Sequence, residues 1–354
     1  MKTQLTLREV LSQLTDEGLA KPLEQESALS APAETQGSSL PWFVKLFIGI
    51  AAWIAALLIT SFFFAIGIID EESALGFGLV FCAAAILLNR AGNRNTFWVQ
   101  LSLAASLTGQ ALAIIGLTSI FDELLIMTLV VVMLETALIL LHRDSVLRFI
   151  STLIVIAFFL ALIFDQEMQA SIHVLILALA VGTLAIYLNQ NRIKLLSLDE
   201  TVLPVGSAIT FSLLGILILP LMDEFIDLRW EFTAVVLFGM LIYLLWRIGT
   251  DLGYSLRNPV VIALLVGALL LLIPALRMPG LLAALIVLAL GFWRNNQGLV
   301  WLAAIFLVFY IWAFYYSLEW TLLVKSLVLL ASGLVLLGLR FFVVQFTAKS
   351  GERS

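Results

Sequence analysis

The chain reads as an all-α, polytopic transmembrane bundle of about twelve spans, with both termini cytosolic and a short amphipathic helix at its N-terminus. Three observations lead there. Of 354 residues, 62% are hydrophobic and only 12% charged, against about a quarter charged in ordinary soluble domains. The mean hydropathy of +1.10 leaves little polar sequence for a second, soluble domain. Apolar runs follow one another, each long enough or nearly so to cross a hydrocarbon core about 30 Å thick, and basic residues mark alternate connections between them.

The first 40 residues lack the continuous apolar stretch and small-residue cleavage site of a signal peptide. Thr6 and Glu9 have the spacing of a capping box. Leu7, Val10, Leu11 and Leu14 follow at helical spacing, and Gly18 is a C-terminal stop, so a cytosolic amphipathic helix is expected over 1–19. Three turns are marginal alone in water, so the apolar stripe should pack on the bundle or on a partner protein. Few basic residues lie on its polar face, which argues against a membrane-surface helix. Residues 20–40 are polar and contain Pro, Ser and Ala, as a flexible linker does. The transmembrane domain is expected over 41–345, with a cytosolic tail at 346–354.

Within that domain the spans are expected near 42–69, 73–89, 97–117, 123–142, 146–164, 168–188, 201–222, 230–248, 258–275, 279–293, 297–317 and 320–343. Charge checks the count. With the N-terminus inside, sixteen of the 19 basic residues lie on the cytosolic side, among them Arg90, Arg94, Arg143, Arg148, Arg192, Lys194, Arg247, Arg257 and Arg294. Only Arg229 and Arg277 fall outside, and Lys325 lies within a span. One helix more or fewer would swap every later loop and destroy the asymmetry. The outer loops are acidic: Asp70, Glu71, Glu72, Asp122, Glu123, Asp165, Glu167, Asp223 and Glu224 lie there. Two prolines fall in the linker and six within about a turn of a helix end, so the unwound midplane helices of many secondary transporters are not expected. Gly109, Gly182, Gly215 and Gly239 occur singly within spans, as close helix-packing points do. Seven tryptophans near span ends, Trp230 among them, fit an interfacial belt.

These patterns exclude several function classes. No basic stripe exists for a nucleic acid. His142 and His173 fall on opposite sides, so neither belongs to a histidine metal cluster, and no metal or cofactor is expected. HExxH, GxSxG and phosphate-cradling glycine loops are missing, so an enzyme is not expected. Cys82, the single cysteine, reads as a small apolar filler. The aromatic-rich segment Phe306–Tyr316 reads as packing, with a cavity for an apolar ligand as the alternative.

Two ionisable residues lie at depth, where each costs about 2.5–3.5 kcal/mol or more. Glu135 follows Leu124 by eleven residues, or ~16 Å at 1.5 Å per residue, which is close to the midplane. Lys325 lies only ~6 Å from an outer edge on the same rule, and is expected to snorkel outward rather than pair with Glu135. Ser102, Ser106 and Gln110 recur every four residues on one face of the third span. If the third and fourth spans fold as a tight hairpin, that face meets Glu135 and hydrogen-bonds to it. Two readings are open: a neutral Glu135 that joins helices, or a proton- or ion-linked site.

Three stretches, PWFVKLFIGIAAWIAALLITSF (41–62), VQLSLAASLTGQALAIIGL (99–117) and YYSLEWTLLVKSLVLLASGLVLLGLR (315–340), resemble the bacterial membrane-protein family "domain of unknown function 4401". The resemblance places Gln110 and the Lys325-Ser326 pair in recurring family motifs, and implies no catalytic role because the family has no assigned activity. It implies a polytopic protein of the bacterial inner membrane. It also implies gene neighbours: a second polytopic protein of unknown function, and a small protein named for a GDYxxLxY motif. The reading favoured is therefore a non-enzymatic component of an envelope membrane complex, with the lipid bilayer and neighbouring envelope proteins as partners. The alternative is a secondary transporter or lipid-handling protein with its proton- or ion-linked site at Glu135.

Overall fold

The computed structural model describes residues 42–71, 73–91, 96–222, 229–251, 276, 278–317 and the scattered positions 326, 330, 333, 337 and 338. The expected helix at 1–19, the linker, the tail, the span at 258–275, all but those scattered positions of the span at 320–343, and Lys325 lie outside these residues. The chain divides into two units, Met1–Ala55 and Ala56–Ser354. In the first, the described residues are helical throughout. The second holds all the other described residues, and with them the packed helices.

Among the described residues, helices occupy ten of the expected segments. They are α1 (Trp42–Ala65), α2 (Ala74–Ala91), α3 (Thr96–Ile120), α4 (Leu124–Leu141), α5 (Ser145–Asp165) and α6 (Ser171–Leu188). Then come the short α7 (Gln190–Leu195), α8 (Asp199–Ile216), α9 (Trp230–Asp251), α10 (Pro279–Trp293) and α11 (Gln297–Ser317), with a 3-10 turn at Leu219–Leu221. No strand occurs among the described residues. Seven of these helical segments are long and apolar enough to cross a membrane, and α2 and α10 are shorter apolar helices.

Local chemistry explains the ends. Gly67, at φ 70°, turns the chain after α1, and Asp70 and Ser73 bond each other's backbone N–H ahead of α2. The Asp144 carboxylate caps α5 by accepting from Val146 N (2.8 Å) and Leu147 N (3.1 Å). Pro279 occupies the first position of α10, where its missing N–H leaves no helical bond unmade. Pro204 sits inside α8, more than a turn beyond its start at Asp199, so it is further from a helix end than expected.

The second unit is apolar outside and partly polar inside. Met133, Leu140, Val174, Val308 and Phe292 are each at least 68% exposed, while Ser102, Ser106, Glu135, Ser151, Thr183 and Thr210 are buried to 0%. Water would not tolerate so continuous an apolar perimeter on a monomer, whereas lipid requires it. The helices alternate in direction, and contacts tie the loops into two ends. Asn89 Oδ1 accepts from Arg143 N, and Arg148 reaches Glu200 O at one end. Ser119 Oγ donates to Glu71 O at the other. Arg90, Arg143, Arg192, Lys194 and Arg294 gather at the first, basic end, with Asp70, Glu71, Asp122 and Glu123 at the opposite one.

Helix packing departs from the expected hairpin of spans three and four. α3 lies closest to α2, because a Cβ added at Gly109 would meet Cys82 Sγ at 2.6 Å and Gly78 O at 2.8 Å. One added at Gly116 would overlap the Leu75 backbone. Cys82 is thus the small filler of a tight seam. α4 packs on α5 instead, α5 on α8, and α8 on α6. Gly182 is in ordinary contact, and Gly215 and Gly239 face open space, so the latter two are not the packing points expected. Lipid-facing glycines carry the same sequence signal as seam glycines. Trp230 departs from the interfacial belt: it is 5% exposed and packs edge-on against the His173 ring. His173 Nδ1 pairs with Thr233 Oγ1 at 2.7 Å. In α11, Tyr310 is buried and its hydroxyl accepts from Gly280 N, while Trp312 and Tyr316 face outward. The buried Phe306 and Tyr310 rings stack on one another.

Candidate functional site

The period-four polar face of α3 is buried as the sequence predicts, at 0% exposure for Ser102 and Ser106 and 2% for Gln110. Glu135 of α4 is buried to 0% in the same unit. The expected hydrogen bonds from α3 to Glu135 do not form. Ser102 Oγ turns back on its own helix and donates to Val99 O at 2.8 Å. Gln110 Nε2 donates to Ser151 Oγ of α5 at 3.2 Å. Ser151 Oγ lies beside the Glu135 carboxyl, outside hydrogen-bond geometry. The physical reason is the packing order: α5, not α3, runs along α4.

Four acceptors are left buried and without a partner: both carboxyl oxygens of Glu135, Gln110 Oε1 and Ser106 Oγ. Native interiors leave few such atoms, and each orphan costs about 1–3 kcal/mol. All four are oxygens, and Ser106 Oγ also has a proton to give. A charged carboxylate would be far more expensive there than a neutral acid. The arrangement therefore suits a proton or another small cation at the carboxyl.

The same helices carry a second buried polar group at the basic end. Arg148, expected on the cytosolic side at the start of the span 146–164, is a first-turn residue of α5 and only 5% exposed. Its Nε donates to Ile139 O (3.0 Å) and its Nη1 to Glu200 O (2.7 Å), so one guanidinium pins α4 and α8 to α5. His142 follows α4, is buried to 0%, and accepts from Asp144 N at Nδ1 (3.2 Å). Its Nε2 has no partner. Burial holds its imidazole below the ordinary value, with the Asp144 charge opposing and the Arg148 charge reinforcing. A pocket of about 540 Å³ opens at the same end, lined by Asn89, Arg90, Val99, Arg143, Asp144, Ser145 and Glu200.

Ser151, Arg148 and His142 were not singled out in the sequence. A signal exists for two of them: Arg148 and Ser151 are three residues apart on one face of an otherwise apolar segment. Among the described residues, no group of three or more His, Cys, Asp or Glu is placed to hold a metal ion.

An apolar perimeter around buried polar groups, on helices of membrane-crossing length, defines a multi-pass α-helical membrane protein. The chain belongs to the family described as domain of unknown function (DUF4401), which it matches over residues 41–346. No curated protein and no solved structure was found to match it.

Proposed function

We propose that this is a non-enzymatic, multi-pass protein of the bacterial inner membrane whose Glu135 cluster takes up and releases a proton as part of a transport or coupling cycle. The observation that carries this reading is that neither Glu135 oxygen has a partner in hydrogen-bond geometry, in a bundle interior that also leaves Gln110 Oε1 and Ser106 Oγ unpaired. A residue retained only to join helices gains by making its hydrogen bonds, which are worth about 0.6–2 kcal/mol in membranes. Glu135 makes none. Glu135→Gln keeps the shape and removes the titration. In a deletion strain this variant should accumulate in the membrane at the wild-type level and fail to restore the deletion phenotype. Full restoration would overturn the reading.

The competing reading, a passive component of an envelope complex, is favoured by one observation, the interhelical Gln110–Ser151 bond. Under it Glu135→Gln is silent. The family supplies no activity that decides between the two.

We further propose twelve spans with both termini cytosolic. The gathering of Arg90, Arg143, Arg192, Lys194 and Arg294 at one end supports that orientation. Reporter fusions after residues 92 and 195 should then report the cytosol, and fusions after 71 and 166 the outside. Any one of the four on the wrong side breaks the helix count.

A further inference from the structure

We infer that His142 is the group through which the Glu135 carboxyl exchanges its proton with the basic end of the bundle. The inference rests on the proposed reading of Glu135 as a proton site, and names the route by which that site is reached.

Four observations carry it. His142 lies seven residues after Glu135, two turns along the same face of α4, or roughly 10 Å at 1.5 Å per residue. Both side chains are buried to 0%. Nδ1 accepts from the Asp144 backbone N–H, so a neutral ring carries its proton on Nε2, the atom with no partner. Finally, His142 is followed directly by Arg143 and Asp144, which line the pocket. A buried N–H donor without an acceptor therefore lies in sequence between the residues that line a polar pocket and a carboxyl two turns away whose oxygens have no partner in hydrogen-bond geometry.

The surroundings suit a relay rather than a resting cation. Asp144 beside the ring and Arg148 of α5 are the charges that act on it directly. Arg90 of α2, Arg143 and Glu200 of α8 line the pocket beyond. Burial and Arg148 together disfavour the imidazolium, so the ring rests neutral and is charged only in passing. In the transfer, the Nε2–H bond breaks and its proton moves through intervening water to form an O–H on the Glu135 carboxylate. Nδ1 takes a proton from hydronium in the pocket as the Asp144 N–H bond to it is released. Carboxylate and hydronium become acid and water, so charge balances. Water then carries the proton from Nδ1 to Nε2: the Nδ1–H bond breaks, an Nε2–H bond forms, and Nδ1 is free to accept from the Asp144 N–H again.

The test follows hydrogen–deuterium exchange of the Glu135 carboxyl by infrared spectroscopy, with the protein in lipid nanodiscs. The band is assigned by its absence from Glu135→Gln. His142→Asn keeps an acceptor for the Asp144 N–H and cannot carry a proton; His142→Gln serves as the second variant. Exchange should slow by about 100-fold or more, the ordinary contribution of a placed acid–base group, and added imidazole should restore it. Exchange at the wild-type rate in both variants, or slowing that imidazole does not restore, would overturn the relay while leaving Glu135 as a proton site. No exchangeable Glu135 band in the unaltered protein would overturn both. A measurement on the unaltered chain covers variants that fail to fold. Histidine ¹⁵N NMR should find the resting proton on Nε2, and finding it on Nδ1 contradicts the inference.

Discussion

Gly109→Leu should destabilise this protein by about 3 kcal/mol or prevent its accumulation. A Cβ at this position would lie 2.6 Å from Cys82 Sγ and 2.8 Å from both Cys82 N and Gly78 O. Two of those three atoms are backbone, so no rotamer change relieves the overlap, and α2 and α3 must part. Cys82→Ala in the same chain should recover only a fraction of the loss. Gly239→Leu is the control, because nothing lies within 4 Å of the Cβ it adds. Thermal unfolding in detergent should separate the two variants clearly. Equal behaviour would mean that the α2–α3 seam is not as close as described.

Arg148→Leu should be nearly as damaging, at about 3 kcal/mol. It removes two charge-assisted hydrogen bonds, to Ile139 O and Glu200 O, and leaves carbonyls of two other helices without their donor. Removing the charge recovers part of the loss, since an almost fully buried guanidinium is itself expensive to desolvate. Arg148→Lys should fall between, because one ammonium does not reproduce a fork that reaches two acceptors in different directions. Unfolding in a denaturant series measures both variants. If Arg148→Leu were neutral, the guanidinium would not be the clamp between α4, α5 and α8.

The fold was legible in the sequence wherever charge or proline punctuates it. α10 and α11 have the bounds expected, because Pro279 starts one and Arg294-Asn295-Asn296 separates the two. Boundaries moved where the backbone turns without a hydropathy signal. α6 begins at Ser171 rather than 168, since Glu167 adopts a positive φ of 53° in the turn before it. The candidate site was half legible. Burial of Ser102, Ser106, Gln110 and Glu135 followed from the four-residue period and the depth of Glu135. Their partners did not follow, because period and depth place a residue on a face and at a level but do not say which helix lies opposite. Glycines decided that here. Gly78, Gly109 and Gly116 draw α3 onto α2, which leaves α4 to α5 and makes Ser151 the partner of Gln110. The first-turn position of Arg148 at the basic end was legible, but not its burial, because position in a span does not show that a first-turn arginine folds inward to carbonyls of adjacent helices.

Infrared titration of the protein in nanodiscs reads out whether Glu135 holds an exchangeable proton inside the bundle. A carboxylic-acid C=O band is expected at neutral pH. It should be lost in Glu135→Gln, retained in Glu123→Gln at the exposed start of α4, and diminished reversibly as the pH is raised. A spectrum at neutral pH with no band that depends on Glu135, or a band that persists unchanged into strong alkali, would contradict a proton site at this carboxyl.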